Sequence, residues 1–206
     1  MEQIKLNDEV SLSKFVHGVW RLAEWNYTNE QIQQLVEGCL ELGIDTFDHA
    51  DIYGDYGCEK LFGDALKNRN DLKEKIKIVT KCGIKLLSAQ RPEHYIKHYD
   101  TSFEHIVGSA ENSLRQLGVE AIDLLLIHRP DPFINPQEVA KAFDKLKTEG
   151  KVKAFGVSNF LPQQFKALQA ALDFPLVTNQ IEISCVSLHE FDNGTIDFCQ
   201  EIGLHP

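Results

Sequence analysis

Side chains able to move a proton follow several apolar segments of this sequence. Tyr53 carries a phenol, which is a weak acid at neutral pH, but a nearby ammonium such as Lys81 would favour the phenolate and ease proton donation to a developing alkoxide. Asp48 could keep that ammonium charged, and His128 could donate a hydrogen bond to a carbonyl oxygen. This set suits protonation of a carbonyl oxygen while hydride reaches the carbon. Because the sequence has no redox-metal motif, the hydride would come from a nicotinamide.

Each of these polar residues also has a purely structural explanation. Asp48 could cap a turn, Lys81 could extend its amine to solvent, and His128 could be a hydrogen-bonded core imidazole. Polar residues at every segment end nevertheless favour a site, because burying an unpartnered polar group costs ~1 to 3 kcal/mol. The end residues are Trp20 and Arg21; Asp48, His49 and Asp51; Lys81; His128 and Arg129; Ser158 and Asn159; Asn179 and Gln180.

The apolar segments lack helical periodicity and alternate with amphipathic stretches, which predicts parallel strands joined by helices. The predicted strands span 15–20, 46–49, 76–81, 122–128, 154–158 and 176–180. Helix caps are predicted at Thr28 with Gln31, Thr101 with Glu104, Asn135 with Glu138, and Gly150 after the third of these helices. Further helices are predicted at 165–172 and 195–201.

Two folds accept this alternation, the (β/α)₈ barrel and the doubly wound sheet. The Gly-x-Gly-x-x-Gly fingerprint of a dinucleotide-binding doubly wound sheet is absent from the sequence. We therefore predict an α/β fold of the (β/α)₈ TIM-barrel type, with residues 1–206 forming a single domain. Active sites of such barrels lie at the carboxyl ends of the strands, where the polar residues of this sequence fall.

Composition excludes several classes of protein. The 206 residues are 43% hydrophobic and 25% charged, as in globular proteins, and their net charge of −10 disfavours binding to nucleic acid or to anionic membranes. No apolar run approaches the ~18 to 20 residues of a membrane span, and no signal-peptide pattern is present, so we expect a cytoplasmic protein. The five cysteines include no Cys-x-x-Cys, which predicts reduced thiols without a metal site.

Five ordered motifs resemble those of the aldo-keto reductases, from about residue 16 to the end of the chain. The motifs are FDHADIYG (47–54), VTKCG (79–83), LLLIHRPD (124–131), GKVKAFGVSNF (150–160) and NQIEIS (179–184). The resemblance implies NAD(P)H-dependent reduction of an aldehyde or ketone, a small-molecule carbonyl, to an alcohol. NADPH is the expected cofactor, with NADH left open, and the oligomeric state is not implied.

The resemblance also implies roles for individual residues. The positions of the catalytic tetrad are matched by Asp48, Tyr53, Lys81 and His128. Tyr53 would be the general acid. The positions that bind the nicotinamide carboxamide are matched by Ser158, Asn159 and Gln180, and a position in the wall of the substrate pocket is matched by Trp20.

Three other functions stay open. Lys81 could be the nucleophile of a Schiff-base aldolase. His49, Asp51 and His128 could belong to a metal-dependent hydrolase, although His-x-Asp lacks the spacing of a strong metal motif. A catalytically inactive, nicotinamide-binding or regulatory protein on the same scaffold is the third alternative.

Length is the feature that departs from the family. A barrel of this type needs about 250 residues, so we expect about six βα units here, with strands seven and eight and the phosphate-binding loops outside the chain. A fragment of a longer reductase, a short chain completed by another subunit and a degenerate protein all remain open. The intact tetrad favours the fragment, and we expect weak or no turnover from these 206 residues alone.

The connection at 82–101 is longer than compact domains usually contain. It either covers the substrate pocket or forms a solvated insertion. The side chains that could cover the pocket are His94, Tyr95, His98 and Tyr99.

Overall fold

Strands and helices alternate along the chain in a computed structural model that describes residues 1–206. The strands are β1 (Gln3–Lys5), β2 (Ser11–Ser13), β3 (His17–Gly18), β4 (Thr46–Asp48), β5 (Lys77–Cys82), β6 (Ile84–Lys85), β7 (His98–Tyr99), β8 (Ile122–Ile127), β9 (Val152–Ser158) and β10 (Asn179–Gln180). The helices are α1 (Asn29–Glu41), α2 (Tyr53–Tyr56), α3 (Cys58–Leu66), α4 (Asn70–Lys73), α5 (Phe103–Leu117), α6 (Pro136–Thr148), α7 (Pro162–Gln169), α8 (His189–Asp192) and α9 (Thr195–Glu201). A 3₁₀ turn spans Leu22–Glu24. None of the helices has both the length and the apolar character that crossing a bilayer requires.

Six of the strands form one curled parallel sheet in the order β3-β4-β5-β8-β9-β10. Consecutive parallel strands are connected through helices, as the alternating pattern predicts. The predicted α/β fold of the (β/α)₈-barrel type, with six βα units, is therefore confirmed.

The inner strands lie within two residues of their predicted bounds, whereas the edge strands are shorter. The segments 15–20 and 176–180 contribute only the two-residue strands β3 and β10. Each of these strands has a neighbour on one side alone, so a single ladder defines its length.

Most predicted helix caps are present. The confirmed caps are Thr28 at α1, Asn135 at α6 and the left-handed Gly150 that follows α6. The prediction for α5 is wrong by one residue, because Ser102 rather than Thr101 accepts a hydrogen bond from the His105 amide. The Thr101 hydroxyl instead donates to Asp131 at 3.4 Å, a contact that local spacing does not reveal.

Apolar side chains pack on both faces of the sheet. The largest cluster lies between β8, β9 and the outer helices, and Phe143 stacks on Phe155 within it. On the inner face, Leu12 of the β1–β2 hairpin packs against Val79 and Leu124. Because side chains alternate along a strand, the inward-facing Val79 on β5 is followed two residues later by Lys81 on the same face. The functional side chains therefore lie directly above an apolar inner layer.

Candidate active site

Lys81 is the second-last residue of β5; its ammonium group is buried, and its side chain is only 2% exposed. Its Nζ lies 2.6 Å from both carboxylate oxygens of Asp48 and 2.9 Å from the carbonyl oxygen of His49. Since β4 and β5 are adjacent and parallel, their carboxyl ends bring Asp48 and Lys81 to one edge of the sheet. Burial lowers the pKa of Lys81, and the negative charge of Asp48 opposes that shift.

Tyr53 reaches this ion pair from the turn that follows β4. Lys81 Nζ donates a 3.4 Å hydrogen bond to Tyr53 Oη. The neighbouring ammonium does not make Tyr53 a stronger acid overall. The pKa of Tyr53 is raised above its ordinary value, because burial and then the charge of Asp48 disfavour the phenolate. Tyr53 therefore holds its proton through the physiological pH range, in the form that a proton donor needs.

The short element α2, which begins at Tyr53, is a turn rather than a regular helix, because its last three residues are left-handed. The φ angles of Gly54, Asp55 and Tyr56 are 58°, 54° and 67°. Glycine adopts this conformation without steric cost, and a Cβ on Gly54 would lie 2.5 Å from the Sγ of Cys58. At Asp55 and Tyr56 the conformation costs roughly 1 to 2 kcal/mol each. Such strain persists only where surrounding contacts hold the backbone in place.

His128 follows β8 and faces the ring of Tyr53 edge-on, with the ring centroids 5.8 Å apart. Its amide donates a 2.8 Å hydrogen bond to the carbonyl oxygen of Cys82, which ties it to the neighbouring strand. Burial, followed by the charges of Lys81 and Arg129, lowers the pKa of His128 to about 3. The imidazole is therefore neutral, and its buried Nδ1 has no hydrogen-bond partner within the protein.

One open cleft of about 240 Å³ contains all four of these side chains. It also contains the three residues that the resemblance assigns to the nicotinamide carboxamide. The lining residues are Asp48, Tyr53, Lys81, His128, Arg129, Ser158, Asn159, Gln180, Ile181 and Glu182. The tertiary structure thus brings seven of the eight predicted site residues into a single cleft.

Ser158, Asn159 and Gln180 are hydrogen-bonded to each other across the ends of β9 and β10. Asn159 Nδ2 donates to Ser158 Oγ at 3.0 Å, and Ser158 Oγ donates to the carbonyl oxygen of Gln180 at 3.0 Å. The side-chain amide of Gln180 has only a 3.5 Å contact, with Asp48. A hydroxyl and an amide with spare donor and acceptor capacity suit a carboxamide, so these residues fit the nicotinamide end of the expected cofactor.

Trp20 is the eighth predicted site residue and does not line the cleft. Its side chain is largely exposed, and its ring centroid lies 6.4 Å from that of Tyr53. It therefore stands beside the general-acid candidate, and its role in the substrate pocket remains a prediction.

Arg129 and Glu182 line the cleft without having been assigned a role from the sequence. Arg129 Nη2 lies 3.9 Å from Glu182 Oε2. The position of Arg129 just after the end of β8 is the available signal, because the loops that follow the carboxyl ends of barrel strands form the site. Glu182 lies within the NQIEIS motif, but the motif alone assigns it no role in the cleft.

The three residues of the hydrolase alternative lie in different environments. The His49 ring is fully buried against Phe62, edge-on at 4.7 Å, while His128 lines the cleft. Asp51 accepts a 3.1 Å hydrogen bond from Ser109. These side chains do not converge on one point, so the arrangement gives no support to a shared metal.

The four residues of segment 82–101 that could cover the substrate pocket, His94, Tyr95, His98 and Tyr99, do not line the cleft. Strands β6 and β7 form an antiparallel hairpin within this segment. His94 instead contacts Tyr56, with its Nδ1 3.5 Å from the tyrosine hydroxyl.

Cleft size does not identify the site in this protein. A larger cleft, of about 630 Å³, lies at the opposite, amino-terminal end of the strands. Its buried carboxylate, Asp123, is paired with the amide of Ile78 and with Lys153. Paired groups of this kind usually have structural roles, so the smaller cleft with the Tyr53–Lys81 pair is the better candidate for an active site.

Comparison with known proteins gives a consistent result. The model of the aldo/keto reductase family matches residues 14–206. The chain is 51% identical over 206 residues to a Bacillus subtilis (strain 168) protein named uncharacterized oxidoreductase YcsN. The match covers 100% of this chain and 69% of that protein. It is 47% identical over 207 residues to a 6-dehydroglucose reductase of Agrobacterium fabrum (strain C58), covering 100% of this chain and 70% of the relative.

A solved structure shows the same architecture. The aldo-keto reductase AKR11C1 from Bacillus halodurans, in its holo form, superposes with a TM-score of 0.80 at 25% identity. The match covers 99% of this chain and 64% of that one, so the chain spans about two thirds of the length of the relatives it matches. The family match over nearly the whole chain, together with the shared fold, shows that this protein belongs to the aldo/keto reductase family.

Proposed function

We propose that the cleft catalyses NAD(P)H-dependent reduction of an aldehyde or ketone, with Tyr53 as the proton donor. The observation that carries the proposal is the buried hydrogen bond from Lys81 Nζ to Tyr53 Oη, backed by the ion pair of Lys81 with Asp48. Family membership supports carbonyl reduction in general.

In this proposal, Tyr53 gives its proton to the carbonyl oxygen as negative charge develops there. The neutral phenol is the resting form, because burial raises its pKa. As the proton leaves, the phenolate that forms lies beside the Lys81 ammonium, which stabilises the new negative charge. Asp48 holds that ammonium in place through both carboxylate oxygens.

His128 directs the substrate. A neutral imidazole donates a hydrogen bond without competing for the proton that Tyr53 transfers, and the low pKa of His128, about 3, keeps it neutral. Its ring faces that of Tyr53 at 5.8 Å. A carbonyl oxygen between the two groups would receive one hydrogen bond from each.

The cofactor proposal is NADPH, with NADH as the alternative. Ser158, Asn159 and Gln180 would hold the nicotinamide carboxamide through the hydroxyl and amide groups that line the cleft. When bound, the reduced nicotinamide supplies the hydride. The Agrobacterium relative is named a 6-dehydroglucose reductase, so 6-dehydroglucose is the first substrate to test, beside a generic aldehyde such as nitrobenzaldehyde.

Replacement of Tyr53 by phenylalanine tests the general acid. Tyr53→Phe keeps the ring and removes the proton, so we expect turnover of the native protein to fall at least ~100-fold, while NADPH binding is retained. Turnover is followed by NADPH absorbance, and binding by quenching of tryptophan fluorescence. Tyr27→Phe, at a partly exposed tyrosine that packs on Trp25, is the matched control.

Each result decides between functions. Unchanged turnover in Tyr53→Phe would refute Tyr53 as the acid. Tight NADPH binding without turnover of any carbonyl by the parent protein would favour the nicotinamide-binding alternative. A substrate adduct on Lys81 that borohydride traps would establish the aldolase, although the Lys81 ammonium is already engaged by Asp48, His49 and Tyr53.

A further inference from the structure

Tyr56 connects the turn that carries Tyr53 to the segment that follows Lys81. Its hydroxyl oxygen accepts a 2.8 Å hydrogen bond from the Leu86 amide. The guanidinium carbon of Arg91 lies 4.8 Å from the centroid of the Tyr56 ring. Both contacts come from residues about thirty positions further along the chain, so they are tertiary contacts rather than part of the turn itself.

Two further contacts join the same pieces of chain. Gln90 Nε2 donates a 2.8 Å hydrogen bond to the carbonyl oxygen of Asp55. His94 Nδ1 lies 3.0 Å from the carbonyl oxygen of Leu86 and 3.5 Å from the hydroxyl of Tyr56. The backbone and side chain of the turn are thus both fixed to one segment.

The same segment begins close to Lys81, the residue whose ammonium group donates a hydrogen bond to Tyr53. The β6–β7 hairpin begins at Ile84, which is three residues after Lys81 and follows β5 almost directly. The hairpin is closed by the Lys85–Asp100 ion pair and by the antiparallel pairing of Ile84 with Tyr99. Segment 84–99 therefore bridges the backbone of Lys81 and the turn after Tyr53.

Tyr53 depends on this bridge because it lies in a turn. Lys81 and Asp48 lie on strands, whose ladder hydrogen bonds hold them, whereas Tyr53 precedes three left-handed residues. A left-handed conformation at Asp55 and at the bulky Tyr56 needs outside contacts to persist. The contacts of Tyr56 with Leu86 and Arg91 are of that kind.

We propose that Tyr56 is a positioning residue that sets the distance between Tyr53 Oη and Lys81 Nζ by fastening the left-handed turn to segment 84–99. The inference rests on the proposed function of Tyr53. Tyr56 does not line the cleft, so it acts on the proton donor only through the backbone.

Tyr56→Phe in the native protein tests this role, because it removes the hydroxyl that accepts from Leu86 and retains the ring under Arg91. We expect kcat to fall about tenfold, since small misplacement of a reacting group is costly, while KM for the carbonyl and Kd for NADPH stay within about twofold. Tyr95→Phe is the matched control, because Tyr95 lies in the same segment and is 87% exposed.

A readout without turnover accompanies the kinetics. In Tyr56→Phe, amide hydrogen exchange of peptides covering 53–57 is expected to rise about tenfold in the cofactor-free protein, with exchange in β5 and β8 unchanged. The Tyr95→Phe variant is expected to exchange like the parent.

Rescue separates positioning from general loss of structure. Glycine adopts a left-handed φ freely, so adding Asp55→Gly to Tyr56→Phe lowers the tendency of the turn to relax, and we expect it to restore most of the lost kcat. A Tyr56→Phe variant with parental kcat and parental exchange at 53–57 would overturn the proposal. So would a loss of kcat that Asp55→Gly leaves uncorrected.

Failure of this inference is distinguishable from failure of the proposed function. If Tyr53→Phe turns over normally, the function assigned to Tyr53 is wrong, and the exchange experiment still reports whether Tyr56 fastens the turn. If Tyr53→Phe is inactive and Tyr56→Phe is normal in both readouts, the function stands and the positioning role is rejected.

Discussion

The buried ion pair of Lys81 and Asp48 determines how much stability the protein loses when one of these residues is replaced. The Lys81 side chain is 2% exposed and that of Asp48 is 14% exposed, so neither charge is well hydrated. Their pairing at 2.6 Å offsets the cost of removing both ions from water. Removing one partner leaves the other as an uncompensated buried charge, which is more costly than losing a surface ion pair.

Asp48→Asn is therefore expected to lower the free energy of unfolding at pH 7 by about 3 kcal/mol, as measured by urea denaturation. The loss of the carboxylate lowers the pKa of Lys81 further below its unfolded value, so the unfolded state binds more protons and the deficit shrinks between pH 7 and pH 9. Asp8→Asn, at an exposed carboxylate paired with Lys5, is the control and is expected to leave stability unchanged. A pH-independent deficit would contradict this explanation.

The packing of β4 against α3 shows how neighbouring residues of one strand acquire different roles. Side chains alternate along β4, so Phe47 faces the outer helices, and Asp48 faces the cleft. His49 then faces outward again, fully buried against Phe62 of α3, with both ring nitrogens lacking a hydrogen-bond partner. The side chain of His49 in the FDHADIYG motif thus belongs to the outer core, while its carbonyl oxygen accepts a hydrogen bond from Lys81 Nζ.

The burial of His49 makes the stability of the folded protein sensitive to acid. Burial, followed by the charges of Lys81 and His17, lowers the pKa of His49 to about 3. Below the unfolded value of ~6.5 the unfolded chain binds a proton that the folded chain does not, so stability falls as the pH falls. Between pH 7.5 and pH 5 this single group removes roughly 2 kcal/mol of stability.

Between pH 7.5 and pH 5, the free energy of unfolding is expected to fall by roughly 2 kcal/mol less in His49→Leu than in the parent protein. This difference is independent of how much the substitution changes the stability at pH 7.5. His128 and His105, with pKa values lowered to about 3 and about 4, keep part of the acid sensitivity in the variant. His205→Leu, at an exposed histidine, serves as the control. An unchanged pH dependence in His49→Leu would show that His49 does not titrate on unfolding.

At the scale of the whole molecule, the β1–β2 hairpin closes the amino-terminal end of the inner face. Leu12 and Val10 pack against Val79, Leu124 and their neighbours in the inner cluster. The hairpin is also tied to β4, because the Ser13 amide donates a 3.0 Å hydrogen bond to Thr46 Oγ1. The layer beneath Asp48 and Lys81 is therefore built partly from the start of the chain.

Leu12→Ala is expected to lower the free energy of unfolding by about 2 to 4 kcal/mol, because a buried leucine is replaced by a cavity lined with apolar side chains. Lys5→Ala, on the exposed side of the same hairpin, is the control and is expected to unfold like the parent. Thermal and urea denaturation measure both. A Leu12→Ala variant with parental stability would show that the hairpin is not part of the cooperative core.

The amino-acid pattern by itself determined the alternation of strands and helices, and therefore the parallel sheet. It also identified the polar residues that end the strands, because consecutive βα units place every carboxyl end at one edge. Asp48, Lys81 and His128 could be predicted to meet there. The bounds of the edge strands and the Ser102 cap could not be predicted, since they depend on neighbours distant in the sequence.

Only the tertiary structure decided the environment of those residues. The raised pKa of Tyr53 depends on burial by several elements at once, and no local pattern measures burial. The left-handed turn after Tyr53 is held through contacts between Tyr56 and Leu86, thirty residues apart. Sequence periodicity reports the face on which a side chain lies; distances, burial and strain arise from packing between segments that are remote along the chain.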